Sequence, residues 1–250
     1  MPGTVKSYLC SVRHFYSYFL TENVLSQEEK QKIQQMKDCV SRWIQACRRE
    51  SCQRGLERMD TDTQKIISPK QIVDFEKSPM ALKAIKIIGH ALSSTENCPV
   101  TQADFVVVRD FVITETVISN ASRSGAMANM TVDEFTGARR LYDQVTVSVQ
   151  NHKTSYCHGP AKIVSSLTLH GWLQSYLKHF RSRVCNVSND PHLFLSWNGE
   201  KLSSGQVTRA VQAAWNKAGL GNSIICTIVR KTAVSAVHQK RPEMKGNLAI

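Results

Sequence analysis

The pattern of apolar and polar positions predicts a helical chain interrupted by one stretch of strand. Residues 4–22 place Val5, Tyr8, Leu9, Val12, Phe15, Tyr16 and Phe19 at steps of three and four, the spacing of one buried helix face. Ser26 and Glu29 stand three apart, as a capping box requires. They open a second helix whose buried face is Ile33, Met36, Val40, Trp43, Ile44 and Cys47. Two helices close little core by themselves, so this end reads as part of a helical domain. Residues 48–65 are charged and carry no apolar period, which predicts a linker or a frayed extension of the second helix. The expected domains are therefore 1–62 and 66–250, the first helical and moving partly independently of the second.

Pro69 behind Ser68 starts a short helix, residues 80–92 continue helically, and 94–99 break the chain. Thr101 caps a long helix that is apolar nearly all round, the mark of a central buried helix. Arg123 follows its end and precedes another amphipathic helix. From 142 the period changes to two, with Val145, Val147 and Val149 on one face of a strand. Turn residues at 151–161 and the apolar segment 162–169 complete a hairpin, so 142–165 is the expected main strand pair. Helix returns at 169–180, and a short apolar run covers 192–197. A further helix carries Val207, Val211, Ala214 and Trp215, and the last one starts near Thr227. The expected fold class is mainly α with a small antiparallel β-hairpin or sheet. No internal repeat is present.

Charge changes this picture more than overall composition does. The 250 residues hold 32 Lys and Arg against 20 Asp and Glu, a net charge of +12. Residues 1–100 contribute 15 basic and 11 acidic side chains, and residues 101–250 contribute 17 and 9. The excess sits mainly in the C-terminal part, which favours a polyanion lying across it. No run of apolar residues is long enough for a membrane span, and Lys6, Arg13 and His14 interrupt any signal-peptide pattern. The eight cysteines form no C-x-x-C pair and read as thiols of a reducing compartment, which places the chain inside the cell. His152, Cys157 and His158 lack a second ligand pair at zinc spacing, so no metal is expected.

Three basic residues stand out by context. Arg123 sits at a helix junction beside Ser122, Ser124 and Gly125, where an anion could also meet unbonded backbone N–H groups. Lys153 occupies the hairpin turn, and Arg230 lies in the first turn of the last helix. Each alone reads first as a solvated surface charge.

Their order and surroundings carry more. "VRDFVITETVISNASRSGAMANMTVDEF", "VTVSVQNHKTSYCHGPAKIVSS", "HLFLSWNGEKLSSGQVTRAVQAAWNKAGL" and "CTIVRKTAVSAVHQKRPEM" follow one another, behind "TVKSYLCSVRHFYSYFL". In this order they resemble the tyrosine recombinase (phage integrase) family, and in particular the integrase-like proteins of animal mobile elements. The resemblance implies a partial helical core-binding domain over 1–62 and a catalytic domain over 66–250. It implies active-site roles for Arg123, Lys153 and Arg230. The family cleaves DNA by attack of a tyrosine on a phosphodiester, forming a 3′-phosphotyrosine link that a 5′-hydroxyl then reseals. Two guanidiniums suit the charge that builds on the non-bridging oxygens, and a lysine suits the proton given to the departing 5′-oxygen. Because the covalent link retains the phosphodiester energy, no cofactor is implied.

The sequence also departs from the family. Its second box usually reads H-x-x-R, and here it is T-I-V-R, with Thr227 able to donate a hydrogen bond to phosphate or to cap the helix but not to titrate near neutral pH. Lys231 adds positive charge beside Arg230, and Tyr156 is expected as a phosphate or groove contact. The family's tyrosine lies farther downstream, and none of the 20 residues after Arg230 is tyrosine. The expectation is a chain truncated before its nucleophile and catalytically incomplete. Three functions are therefore open: a recombinase-like protein of DNA recombination and integration, a non-enzymatic DNA-binding regulator, and a helical protein-interaction scaffold. The first two expect double-stranded DNA as partner, no membrane, self-association on DNA and a nuclear or other intracellular location.

Overall fold

The computed structural model describes residues 2–22, 25–93, 99–153, 155–184, 190–221 and 224–240. The break expected at 94–99 lies almost wholly outside these residues, as do Cys98 and Cys185. The chain divides into two compact units, Met1–Gln64 and Lys65–Ile250.

The first unit is a pair of helices, α1 (Pro2–Thr21) and α2 (Gln27–Thr63). Ser26 and Glu29 form the reciprocal capping box that the sequence predicts. The charged stretch 48–65 is neither a linker nor frayed, because α2 runs unbroken to Thr63. Polar residues spaced along a helix are compatible with it when both flanks face water. The predicted buried faces are only partly buried. Val40 and Ile44 are covered, whereas Tyr8, Phe15, Met36 and Trp43 remain more than half exposed. Two helices share a single seam, so aromatic residues flanking that seam stay in solvent.

The second unit is built around α5 (Gln102–Asn120), which Thr101 caps through its side chain. Ten of its residues are buried, from Phe105 to Val117, as near-continuous apolar character predicts. Around it stand α3 (Pro69–Glu76), α4 (Pro79–Ser93), α9 (Leu167–Ser175) and α10 (Ser204–Lys217). Phe75 stacks on Trp215 at 5.5 Å and lies 6.4 Å from Phe111, which locks α3, α5 and α10 into one core. Two short helices, α6 (Ser124–Asn129) and α7 (Val132–Thr136), follow α5 in place of the single helix expected after Arg123. Met130, between them, donates its N–H to Ala126 and accepts from Leu193, so the chain turns there.

The sheet has three antiparallel strands in the order β1-β2-β3, namely Arg139–Leu141, Gln144–Val149 and Ala161–Ser166. Val145, Val147 and Val149 face the core with Ile163 and Ser165 opposite. The sequence pattern misses β1, whose three residues are all exposed and show no alternation. Tyr142, expected in a strand, instead opens the tight turn between β1 and β2 with a left-handed φ of 52°. The third strand ends at Ser166, earlier than the apolar pattern suggests, because its hydroxyl accepts from Leu169 N–H and caps α9. The α9 segment continues through a π-helical turn (Tyr176–Phe180) and a 3-10 turn (Arg181–Arg183). Leu193, Phe194 and Leu195 are fully buried but pair only through isolated bridges at His192 and Leu195. The last helix, α11, spans Cys226–Lys240. It is tied back to the start of the unit by Ile67 N–H donating to the Thr232 hydroxyl at 3.1 Å. No described helix is long and apolar enough to cross a membrane.

Candidate nucleic-acid interface

The site starts where α5 ends. Ala121 takes a left-handed conformation (φ 48°), which turns the chain away from the α5 axis. Asn120, the last residue of α5, accepts from Val164 N–H at 2.6 Å and donates to Val164 O at 2.8 Å, fixing that end to β3. Ser122 is buried with an unpartnered hydroxyl, and Arg123 is the N-cap residue of α6. Its carbonyl accepts the first helical N–H groups, from Ala126 and Met127, while its side chain is half-buried.

Arg230 comes from the opposite end of the sequence. Cys226, Ile228 and Val229 turn the inner face of α11 into the core. Thr227, Arg230 and Lys231 stand at i, i+3 and i+4 and therefore share a side of the helix. Thr227 and Lys231 are exposed and Arg230 is half-buried. Burial first, and the positive charge of Arg123 second, lower the pKa of Arg230 from its ordinary value. The fold thus brings two guanidiniums from residues 123 and 230 within electrostatic reach of one another. Thr227 is the second residue of α11, so it is not the cap of that helix.

Lys153 and Tyr156 lie on the loop between β2 and β3. The loop contains α8 (Ser155–His158), and Gly159 closes it at a φ of +70° that favours glycine. His152 bonds through its ring nitrogen to Gly159 O at 2.8 Å. Two side chains moor the base of the loop to the elements that follow Arg123. Asn129 of α6 donates to Asn151 O at 2.8 Å, and Glu134 of α7 accepts from Gln150 N–H at 2.8 Å. Lys201 reaches the same place, donating to Asn129 Oδ1 at 2.7 Å. Lys153 and Tyr156 are themselves exposed, Tyr156 at 87%. Among the described residues Lys153 forms no hydrogen bond or ion pair.

No protein-family model and no curated protein matches this sequence. Solved structures do match. XerH site-specific recombinase, in a post-cleavage complex with palindromic difH substrate, aligns with a TM-score of 0.51 at 13% identity over 72% of this chain. The same recombinase in a pre-cleavage complex gives 0.46 at 15% identity over 66%, and XerA recombinase gives 0.42 at 15% over 70%. These matches cover 42% of the pre-cleavage XerH chain and 50% of XerA. The chain has a tyrosine-recombinase fold. It spans 44% of the length of the post-cleavage XerH chain.

Within this recombinase fold, sequence reasoning misses Asn129, Glu134 and Lys201. Glu134 carries a partial signal, since Thr131 and Glu134 form a capping box. Its second oxygen is then spent on the Lys153 loop, which no local pattern reveals. Asn129 and Lys201 are 72 residues apart and carry no signal at all.

Proposed function

We propose that this chain binds duplex DNA in the manner of a tyrosine recombinase, with Arg123 and Arg230 holding one backbone phosphate. The observation that carries the reading is their convergence from 107 residues apart in sequence. Two like charges on a half-buried surface repel, and that cost is offset when an anion sits between them. A phosphodiester offers two non-bridging oxygens, and the planar forks of two guanidiniums match them. In this reading Thr227 and Lys231 add a hydroxyl and a charge on the same side of α11. Lys153 meets the 5′-oxygen from its moored loop, and Tyr156 touches the backbone or groove. Residues 1–62 contribute a part of the core-binding domain and 66–250 the catalytic part. The role is one in DNA recombination or integration, as in mobile-element integrases, with copies associating on DNA in the nucleus or elsewhere inside the cell.

The experiment is an electrophoretic shift with duplex DNA across a salt series. Binding at low salt that falls steeply as salt rises supports the reading, because phosphate contacts release condensed counterions. No shift at low salt overturns it.

A second reading, a DNA-binding regulator on the same scaffold, is favoured by Thr227 standing where the family has histidine. The two share phosphate binding and differ in cleavage. A strand-cleavage assay on a nicked duplex separates them.

A further inference from the structure

A cleft of about 350 Å³ opens between α3, α4, α5 and α9. Phe111, Leu169 and Trp172 give it an apolar lining, with Glu76 and Ser119 exposed at its mouth. Glu115 also lines it and is only 8% exposed, yet it forms no hydrogen bond or ion pair with the described residues. A buried carboxylate without a partner is costly, and the neighbouring carboxylate of Glu76 raises that cost. The arrangement runs against the charge of the molecule: a chain of net charge +12 gathers two carboxylates at one cavity.

The donor set says what would relieve this. A calcium or magnesium ion asks for six or more oxygens, whereas this cleft offers two carboxylates and hydroxyls over an apolar floor. Two aromatic rings, Phe111 and Trp172, lie 5.1 Å apart in that lining, and aromatic rings attract an organic cation. We propose that the cleft is a binding site for an alkylammonium or alkylguanidinium group, carried by a free polyamine or by a lysine or arginine side chain of a partner. The N–H groups of the cation donate to the carboxylates of Glu115 and Glu76. Its methylene stem lies on Phe111, Leu169 and Trp172. The site uses neither Arg123 nor Arg230, so it stands or falls separately from DNA binding.

The test is a titration of the full chain with n-butylammonium, followed through the Trp172 indole N–H resonance, beside n-butanol as the neutral match. Saturable shifts with the ammonium, and at least tenfold weaker ones with the alcohol, are expected. Glu115→Gln should lower the ammonium affinity tenfold or more, and Glu76→Gln about threefold. Equal responses to the two probes, or an unchanged affinity in E115Q, overturn the proposal. If E115Q does not fold, the alcohol comparison and the rim variant E76Q decide it alone. Spermidine and Nα-acetyl-lysine methylamide then distinguish the sources, the tighter of the two naming a free polyamine or a protein side chain.

Discussion

Arg123 and Arg230 are coupled through space, and the coupling predicts how substitutions behave. If both guanidiniums meet the DNA backbone, removing either takes one positive charge from the contact and lowers counterion release. Arg123→Ala and Arg230→Ala are each expected to weaken duplex binding roughly tenfold and to lower the salt slope by about one. Arg→Lys at either position keeps the charge and loses the planar fork, so affinity should fall while the slope holds. A salt slope unchanged in both alanine variants would remove these residues from the phosphate contact. Glu115 makes a separate prediction. Burial, then the charge of Glu76, push its pKa up to about 7 from an ordinary 4.5. Below pH 4.5 both folded and unfolded states hold the proton, and no penalty exists. Between 4.5 and 7 the unfolded chain ionises first, so stability falls as pH rises, and above 7 the penalty is complete. It amounts to something on the order of 3 kcal/mol. Denaturant unfolding at pH 5 and pH 8 should therefore show a larger loss for the wild type than for Glu115→Gln, and equal losses would refute the assignment.

At the scale of elements, what the sequence reveals depends on whether the signal is local. Capping boxes at Ser26, Ser68 and Thr131 rest on residues three apart, and two of the helix starts they mark are read directly from the chain. The α5 helix is legible because its apolar run is long, and β2 because its valines alternate. By contrast β1 is short and wholly exposed, so nothing in its pattern distinguishes it from a loop. Arg123, Lys153 and Arg230 are found through resemblance to a family's ordered boxes. Asn129, Glu134 and Lys201 are visible only after folding, since their contacts span 16 to 72 residues. Tyr142 illustrates a mismatch between residue and element. It is 87% exposed and sits at φ 52°, where a β-carbon is strained and Asn is tolerated. Tyr142→Asn forfeits almost no packing, so it should stabilise the β1–β2 hairpin by about 0.5–1 kcal/mol, read as a rise in the denaturation midpoint. A fall would mean that the ring is needed elsewhere. The mooring of the β2–β3 loop is tested similarly. Asn129→Ala should speed hydrogen exchange at Gln150 to Tyr156 while leaving exchange in α5 as it was.

At the scale of the whole molecule, the question is whether these 250 residues can form a covalent link to DNA. The chemistry requires a tyrosine hydroxyl in line with the phosphate that Arg123 and Arg230 are proposed to hold. Six tyrosines are present. Tyr176 is fully buried, and burial raises its pKa far above the ordinary tyrosine range, so its hydroxyl neither reaches solvent nor ionises readily. Tyr8, Tyr16 and Tyr18 belong to α1, and none is close in sequence to a proposed catalytic residue. Tyr142 points outward from the β1–β2 turn. Tyr156 alone is both exposed and close in sequence to a proposed catalytic residue, on the loop moored by Asn129. It stands three residues from Lys153 and would have to serve beside its own general acid. We therefore expect no protein–DNA adduct when the chain is incubated with a nicked duplex that traps cleavage products and is run on a denaturing gel. A trapped band would overturn that expectation. Its loss in Tyr156→Phe, with non-covalent binding retained, would then make Tyr156 the nucleophile and the β2–β3 loop the carrier of both catalytic groups.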